Sequence, residues 1–272
     1  MIGLIRKAGL ILRPDSEKAI RTAREAESFL AGYGIAAAWP GDMERAEHLD
    51  VILTFGGDGT FLAGARLALR FGAPLLGINL GTVGFLTEEE PVRLRQALSA
   101  LLEGQYAMEE RSLLQVQIPE TGQSWLALND AVLSRGRYAR LIRVAAFVND
   151  EQVGLFSSDG IIVATPTGST GYSLSAGGPI VEPGMNCMIL TPICSHSLMH
   201  IPCVVSDRSV VRLRLQRERN QTAELQIDGQ NMAAIPAGGE VVITGTEQKV
   251  HLVRLHPYRF FDLVQKKLSE LS

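Results

Sequence analysis

The chain has 272 residues, of which 46% are apolar, 20% charged and 6% aromatic, and its formal net charge is -3. This length allows one large domain or two ordinary ones, since domains usually have about 100–200 residues. The composition excludes a chain that is disordered over most of its length, and the balanced charges give no positive field that would attract a nucleic acid or an anionic membrane. The few aromatic residues also disfavour a surface that stacks on bases.

Residues 1–110 alternate between strand-like and helix-like patterns. In chain order the predicted elements are a strand at residues 1–5, a helix capped by Asp15 or Ser16, a strand at 35–39, a short helix at 43–49, a buried strand at 51–55, a helix at 61–71, a strand at 74–78, and a helix at 91–102 preceded by a capping box of Thr87 and Glu90. Strands that alternate with helices indicate an open, mostly parallel sheet. We therefore predict an α/β domain at residues 1–110.

Strands alone dominate the pattern that follows. They are predicted at residues 113–118, 125–133, 141–148, 153–156, 161–164, 210–215, 223–227 and 241–244. Their spacing favours an all-β, sandwich-like domain at residues 111–255. Residues 258–271 return to a helical period, and we expect residues 256–272 to pack back on the α/β domain because Phe260 and Phe261 would otherwise be exposed.

The cysteines and the apolar segments favour a cytoplasmic protein. Cys187, Cys194 and Cys203 have no CxxC spacing and cannot all pair, so we expect small buried residues in a reducing compartment. The first residues lack the pattern of a signal peptide. The longest nearly apolar stretch, residues 75–86, is shorter than the ~18 residues that a membrane span needs.

Glycine is in excess, with 27 residues, or about 10% of the chain against an average of about 7%. One cluster, Gly56-Gly57-Asp58-Gly59-Thr60, lies between a buried strand and a helix, where parallel sheets bind ligands and helix N–H groups can bind an anion. Asp58 would repel a phosphate unless a magnesium ion bridges the two or the carboxylate accepts the proton of a hydroxyl group. A phosphate site with a carboxylate base is the chemistry of a kinase that acts on an alcohol.

An alternative is that Asp58 simply caps the helix that begins near Phe61. Two common nucleotide-binding motifs are absent, because the sequence contains neither GxxxxGK[ST] nor a GxGxxG that opens a helix after the first strand. The GGDGT loop is therefore neither a Walker-type phosphate loop nor a standard dinucleotide fingerprint.

A second glycine-rich segment, residues 165–179, follows the Ser158-Asp159-Gly160 turn and the predicted strand at 161–164. It combines several hydroxyl side chains and a tyrosine with glycines, which is more hydrogen-bonding capacity than a connecting loop needs. Long, polar, ordered loops are often functional. The alternative is an ordinary connection between two strands.

The motifs taken together resemble the NAD kinase family. The residues that carry the resemblance, in the order of the family and with suitable separations, are the GGDGT loop, residues 84–87, Asn129-Asp130 and residues 165–179. A GGDG sequence alone is similar to phosphofructokinases and lipid kinases as well, whereas its combination with the second glycine-rich segment is specific. The resemblance covers nearly the whole chain, including Asp228-Gly229-Gln230 and residues 254–257.

The resemblance implies phosphoryl transfer from ATP, or from polyphosphate, to the 2′-hydroxyl of the adenosine ribose of NAD, with a divalent metal such as Mg²⁺. It implies that Asp58 accepts the proton of this hydroxyl and that Asn129 and Asp130 hold the adenosine. The implied phosphate-loop residues are Gly56, Gly57, Gly59 and Thr60. The implied NAD-binding positions are Asp58, Gly59, Asn129, Asp130, Arg140, Ser157, Asp159, Thr170, Gly171, Tyr172, Ser173, Leu174, Ser175 and Gln230. No metal ligand is assigned.

Four positions depart from the usual residues of the family. Ser157 and Ile201 stand where many relatives have arginine, Ala63 stands where many have a basic residue, and Gly171 stands where alanine is usual. Each departure removes or alters a contact, which leaves open the choice between NAD and NADH and the choice of phosphoryl donor.

Arg140 belongs to a basic run with Arg135, Arg137 and Arg143. The resemblance gives Arg140 a nucleotide contact, while the alternative interpretation is a solvated basic face.

Two other functions remain as alternatives to NAD kinase activity. A lipid or sugar kinase would share the GGDG loop but leaves the second glycine-rich segment unexplained. A sensor that binds NAD or NADP without catalysis would not need a carboxylate beside phosphates. The resemblance further implies a homodimer or homotetramer, with NAD and ATP as small-molecule substrates. The balanced charges and the lack of a long apolar stretch predict no nucleic-acid or membrane partner. We expect inhibition by NADP or NADPH, because the site must accommodate a 2′-phosphate.

Overall fold

The computed structural model describes residues 4–81, 84–87, 89–136, 140–196, 201–217 and 221–270. The chain divides into two compact units. The first unit comprises Met1–Glu110 and Val250–Ser272, and the second comprises Arg111–Lys249.

The elements follow one another in a clear order. Up to residue 110 they are β1 (Lys7–Leu12), α1 (Glu17–Ala31), β2 (Ala36–Ala38), α2 (Pro40–Met43), β3 (Val51–Gly56), α3 (Asp58–Phe71), β4 (Leu75–Asn79), a 3-10 turn (Pro91–Arg93), α4 (Leu94–Leu102) and the start of β5 (Ala107–Ile118). They continue with β6 (Gln123–Ala127), β7 (Asp130–Ser134), β8 (Ile142–Val148), β9 (Glu151–Ser158), β10 (Gly160–Ala164), a 3-10 turn (Thr167–Thr170), α5 (Tyr172–Ser175), β11 (Cys187–Ile193), β12 (Cys203–Ser206), β13 (Val210–Leu215), β14 (Thr222–Ile227), β15 (Gln230–Pro236), β16 (Glu240–Arg254) and α6 (Phe260–Glu270).

The first unit is built on a parallel sheet with the strand order β2, β1, β3, β4. Every residue of β3 and β4 is buried, as expected for strands that helices cover on both faces. The end of β16 extends this sheet, because Leu252 pairs in parallel with Leu75 of β4. The predicted α/β class with a mostly parallel sheet is confirmed.

Helix α1 forms where its capping and apolar pattern predict it. Of the two candidate caps, Ser16 is the one used, and its hydroxyl accepts the N–H of Ala19 at 3.2 Å. One face of the helix packs into the core of the first unit. The buried residues of that face are Ala19, Ala23, Ala26 and Leu30.

Two elements of the first unit lie elsewhere than predicted. The first strand is Lys7–Leu12 rather than residues 1–5, of which residues 1–3 lie outside the described part. It begins at a lysine, whose backbone N–H is held by the carboxylate of Asp50 at 2.8 Å. The short helix is Pro40–Met43 rather than residues 43–49, because Pro40 fits the first helical position, where no N–H is needed.

The predicted capping box of Thr87 and Glu90 is wrong. Glu90 precedes the 3-10 turn without a side-chain capping bond, and α4 begins only at Leu94. Thr87 is buried rather than placed at the exposed start of a helix, and Pro91 starts a tighter turn there.

The second unit contains two antiparallel sheets. One has the strand order β12, β11, β10, β7, β14, β15, and in the other β9, β8, β13 and β16 are successive neighbours. Apolar residues of both sheets form one core. Members of this core are Leu133, Val163, Leu225, Val144, Leu213 and Ile243. The predicted all-β, sandwich-like class is confirmed.

Several strands of the second unit differ from the predicted set. The run predicted at residues 125–133 is two strands, β6 and β7, separated at Leu128 and Asn129. β11, β12 and β15 were not predicted, and β16 extends to Arg254 instead of ending at residue 244. The break between β6 and β7 matters most, because its backbone groups bond to Asp228 and Thr165 in the site described below.

The last helix, α6, covers only one of its two adjacent phenylalanines. Phe260 and Val264 are buried, whereas Phe261 is 61% exposed. The expectation that Phe261 is covered is therefore wrong, since adjacent residues point to different faces of a helix. Within the described residues, none of the helices has the length and apolarity needed to cross a membrane.

Candidate active site

The GGDGT loop joins β3 to α3 in the first unit. β3 ends at Gly56, Gly57 is an extended residue, and Asp58 is the first residue of the 14-residue helix α3. A Cβ on Gly57 or Gly59 would meet no other heavy atom within 4 Å, so both glycines face open space. The loop thus leaves the backbone at a helix N-terminus free for close approach by a ligand.

The carboxylate of Asp58 is bound by a neighbouring loop. Its Oδ2 accepts the backbone N–H of Phe85 at 2.9 Å, and its Oδ1 accepts that of Leu86 at 3.2 Å. A Cβ on Gly84 would overlap this carboxylate, so only glycine allows the loop to approach so closely. The alternative that Asp58 caps a helix starting at Phe61 is wrong, because α3 already includes Asp58.

In the second unit, the break between β6 and β7 is held by the hairpin turn between β14 and β15. Asp228 and Gly229 have φ values of 47° and 75°, which the left-handed turn of a tight hairpin requires. The Asp228 carboxylate accepts three backbone N–H groups, from Leu128 at 3.1 Å, Asn129 at 2.7 Å and Asp130 at 3.2 Å. This turn therefore fixes the backbone that presents Asn129 and Asp130.

The second glycine-rich segment begins directly against the same backbone. Thr165 donates its N–H to the carbonyl oxygen of Asn129 at 2.8 Å and its hydroxyl to that of Leu128 at 2.5 Å. A Cβ on Gly168 would overlap the carbonyl oxygen of Asn129. The structure thus brings together two motifs that are 35 or more residues apart in the sequence, residues 129–130 and residues 165–168.

The comparisons with known proteins match both units. Residues 38–106 match the family model of the ATP-NAD kinase N-terminal domain, and residues 128–255 match that of the ATP-NAD kinase C-terminal domain. An NAD kinase of Caldanaerobacter subterraneus subsp. tengcongensis is 37% identical over 283 residues, which cover 98% of this chain and 100% of the relative. The chain belongs to the NAD kinase family.

Solved structures of the NAD kinase family have the same fold. The crystal structure of an NAD kinase from Archaeoglobus fulgidus in complex with ATP has a TM-score of 0.77 and 28% identity, and the match covers 97% of this chain and 98% of that one. The crystal structure of yeast NADH kinase complexed with NADH has a TM-score of 0.84 at 23% identity and covers 97% of this chain and 86% of that one. The resemblance read from the sequence motifs is confirmed.

Asp130, one of the residues that carry the resemblance in the sequence, has an unusual environment. It is 6% exposed, and burial, with a smaller contribution from the negative charge of Asp228, raises the pKa of its carboxyl group to about 7. The side-chain Oδ1 of its neighbour Asn129 is buried and has no hydrogen-bond partner among the described residues. A buried oxygen in this condition favours a ligand that donates a hydrogen bond to it.

Some of the remaining residues of the glycine-rich segment form hydrogen bonds inside the fold, and others are exposed to solvent. Ser173 is buried, and its hydroxyl shares a hydrogen bond with that of Thr191 at 2.9 Å. Thr170 donates its hydroxyl to the carbonyl of Thr167 at 3.3 Å. Gly171 and Leu174 are half-buried, while Tyr172 and Ser175 are exposed. The hydroxyl of Ser173 is thus used inside the fold.

Asp159 lies at the other end of the strands from Asp130. In the antiparallel pair β7 and β10, Asp130 faces Ala164 and Ser134 faces Gly160, so the two ends are about 14 Å apart at ~3.4 Å per residue. Asp159 forms an ion pair with Arg135 at 2.6 Å. Burial first, and then the charges of Cys194, Asp159 and Asp130, raise the pKa of the Tyr172 hydroxyl.

The other predicted positions are exposed or half-buried. Arg140 and Gln230 are exposed, and Ser157 is half-buried in β9. Of the positions that we expect to depart from the usual residues of the family, Ala63 and Ile201 are exposed. In the basic run, Arg135 is paired with Asp159, Arg143 is exposed, and Arg137 lies outside the described residues.

Several residues that shape the site had no assigned role in the sequence. Asp228 appears in the sequence analysis only within the segment Asp228-Gly229-Gln230, although an Asp-Gly pair between two strands is a hairpin signal. Thr165 and the backbone of Phe85 and Leu86 were likewise given no role. Buried Arg111, which donates to the Thr167 hydroxyl at 3.2 Å, supports the 3-10 turn and has no signal in the local sequence.

Proposed function

We propose that the chain transfers the terminal phosphoryl group of ATP to the 2′-hydroxyl of the adenosine ribose of NAD, forming NADP and ADP. The observation that carries this proposal is the position of Asp58, a carboxylate at the start of α3 between two glycines that face open space. Two backbone N–H groups occupy part of its acceptor capacity, and a carboxylate has about four lone-pair sites, so it can still accept a hydroxyl proton.

In the proposed reaction, Asp58 takes the proton of the 2′-hydroxyl while the hydroxyl oxygen forms a bond to the terminal phosphorus of ATP. The bond between that phosphorus and the oxygen bridging to the next phosphate breaks, and its electron pair leaves with ADP. Asp58 later returns the proton to solvent. The backbone around Gly57 and Gly59 and the N-terminus of α3 bind the phosphates.

We place the adenosine of NAD at Asn129 and Asp130. The unsatisfied Oδ1 of Asn129 suits a donor such as the amino group of adenine, and the Asp130 carboxyl suits ribose hydroxyls. The other proposed NAD contacts are Gly59, Arg140, Ser157, Asp159, Thr170, Gly171, Tyr172, Ser173, Leu174, Ser175 and Gln230. Ser173 is fully buried and its hydroxyl is bonded to that of Thr191, so we assign this residue only shape or backbone contacts.

We propose that the phosphoryl donor ATP binds together with a divalent cation, Mg²⁺ in the simplest case. Among the described residues, no three His, Cys, Asp or Glu side chains are grouped closely enough to hold a metal ion. Mg²⁺ usually keeps several waters and binds through one or two carboxylates and substrate phosphates, so a pre-formed protein cage is not required. When bound, it would neutralise phosphate charge, and we assign no protein ligand to it.

The remaining proposals concern assembly and regulation. We propose that the protein is cytoplasmic and forms a homodimer or a homotetramer. Sedimentation equilibrium measures the number of subunits. We also propose that NADP and NADPH inhibit competitively with NAD, since the product occupies the substrate site. A product-inhibition series without competition would exclude this.

The decisive experiment measures phosphoryl transfer to each acceptor, and a coupled, NADP-specific dehydrogenase detects the NADP that is formed. The purified chain is given Mg²⁺ with ATP or polyphosphate as donor, and NAD, NADH, diacylglycerol or a sugar phosphate as acceptor. We expect phosphorylation of NAD. The comparisons give no support to a lipid or sugar kinase, and phosphorylation of only those acceptors would overturn the proposal. Binding of NAD without turnover on any donor would instead identify a sensor.

The role of Asp58 is tested by Asp58→Asn. We expect the rate to fall at least about 100-fold with NAD binding retained, because the amide cannot accept the hydroxyl proton. Asp42→Asn is the matched control, since Asp42 lies in the first turn of another helix of the same unit. A rate for Asp58→Asn close to that of the control would contradict the role of proton acceptor.

A further inference from the structure

We propose that Tyr258 and Arg254, which flank the connection from β16 to α6, are positioning residues for Asp58. They act through the peptide groups of residues 85–87, and the proposal rests on the proposed function of Asp58. All the residues involved belong to the first unit.

One peptide group joins Tyr258 to Asp58. The Tyr258 hydroxyl donates to the carbonyl oxygen of Phe85 at 3.3 Å, across 173 residues of sequence. The N–H of the same peptide group is that of Leu86, which donates to Oδ1 of Asp58 at 3.2 Å. Hydrogen bonds in such a chain polarise one another, so a donor on the carbonyl strengthens the N–H bond to the carboxylate.

Arg254 holds the next peptide group of the same loop. Its guanidinium donates to the carbonyl oxygen of Leu86 at 3.4 Å. The side chain is 5% exposed and forms an ion pair with Glu109. Its guanidinium carbon also lies 4.3 Å from the centre of the Tyr258 ring. These contacts fix Arg254 and Tyr258 relative to each other.

The segment that connects β16 to α6 also borders a cavity. A cavity of about 490 Å³ is lined by residues 105–107, Glu109 and residues 254–258. Close packing therefore does not surround this segment completely, and directional polar bonds carry more of its positioning. Small displacements of a reacting group can reduce a catalytic rate strongly. The loop that binds Asp58 thus depends on Tyr258 and Arg254 for its position.

Tyr258→Phe tests the proposal with the least disturbance, because the ring and its contact with Arg254 remain. We expect kcat at saturating NAD and ATP to fall about threefold to tenfold, as for the loss of one hydrogen bond. The KM for NAD should stay within about twofold, because the bond supports the reacting carboxylate and not the dinucleotide site. Tyr33→Phe, at an exposed position of the same unit, is the control and should leave both constants unchanged.

A double variant separates positioning of Asp58 from general support of the fold. In an Asp58→Asn background, Tyr258→Phe should lower kcat less than twofold, because the group that it positions no longer acts as a base. An equal loss in both backgrounds would overturn the proposal, as would a kcat of Tyr258→Phe equal to that of the wild type. Arg254→Lys keeps the charge but loses the planar guanidinium, and we expect a loss of kcat of similar size.

A measurement independent of turnover distinguishes failure of this inference from failure of the proposed function. Amide hydrogen exchange of a peptide covering residues 85–87 should be at least about twofold faster in Tyr258→Phe than in the wild type. Unchanged exchange would overturn the inference even in an active kinase. Faster exchange in a protein that forms no NADP would overturn the proposed function and leave the structural coupling intact.

Discussion

Asp58 and Asp130 both stand at the first residue of a regular element, but their surroundings differ. Asp58 starts α3 and receives two backbone N–H donors on its carboxylate. Asp130 starts β7, is buried, and lies beside the negative charge of Asp228. The first environment offers donors to a carboxylate, whereas the second disfavours its charge and raises its pKa to about 7. The comparison teaches that neighbouring donors and burial, not residue type, decide what an aspartate can do.

This contrast predicts different consequences for the two units. Changes around Asp58 should act on kcat, as tested by Asp58→Asn. Changes around Asp130 should act on NAD binding and on stability, because its surroundings are part of the core and of the adenosine site that we propose.

The largest effect in the second unit is expected from Asp228→Asn. The amide can accept with only one of its two polar atoms, so its NH₂ group would face an N–H donor of residues 128–130. We expect the KM for NAD to rise at least about tenfold with kcat changed less than threefold, since each buried N–H left without an acceptor costs about 1–3 kcal/mol. Steady-state kinetics measures both constants.

Asp150→Asn is the matched control for Asp228→Asn. Asp150 also has a left-handed backbone, with φ 71°, and lies in another hairpin of the same unit. Asparagine tolerates this conformation, so neither substitution strains its turn. An increase in KM of the same size for both variants would show that Asp228 does not act through residues 128–130.

An intermediate effect is expected from Asp130→Asn, as a dependence of stability on pH. The pKa of Asp130 is raised in the folded chain above its ordinary value of 3.8, to about 7. The folded chain therefore binds this proton more tightly than the unfolded chain, and the contribution to stability is lost as pH rises through the window from about 4 to about 7. The variant, which has no charge to bury, should gain Tm relative to the wild type between pH 5 and pH 8.

Thermal unfolding of both proteins at each pH measures this gain. Glu247→Gln is the control, because it removes an exposed carboxylate of the same unit. A difference in Tm between Asp130→Asn and the wild type that stays constant from pH 5 to pH 8 would contradict the raised pKa.

The smallest effect is expected from Tyr172→Phe. Its side chain is 48% exposed, so the core does not depend on its hydroxyl. Loss of one hydrogen bond to NAD should raise the KM about twofold to tenfold and leave Tm within about 1 °C. Isothermal titration with NAD gives the affinity directly. An unchanged affinity would remove Tyr172 from the proposed site.

Much of the fold could be predicted because its signals are local. The hydroxyl of Ser16 caps α1 at the expected place, and the continuous apolar run of β3 is a buried parallel strand. The loop between β3 and α3 was recognised for the same reason, since strand, glycines and helix are adjacent in the sequence.

Elements whose formation depends on distant partners were missed. β11 contains Pro192, and proline argues against a central strand, yet β11 lies between β10 and β12. β12 alternates half-buried and exposed residues and forms by pairing with β11. The break at Leu128 and Asn129 is stabilised by Asp228, which lies about 100 residues further on, so neighbours along the chain do not determine its position.

The sequence by itself determined the two fold classes, the GGDGT loop with its single carboxylate, and membership of the NAD kinase family through motifs in a fixed order. Only the tertiary structure decided which groups meet these motifs. Asp58 meets backbone donors 27 and 28 residues away, and Asn129 and Asp130 meet a carboxylate 99 and 98 residues away. The physical reason is that periodicity and capping depend on neighbours along the chain, whereas hydrogen bonds and burial at a site depend on segments that the fold alone brings into contact.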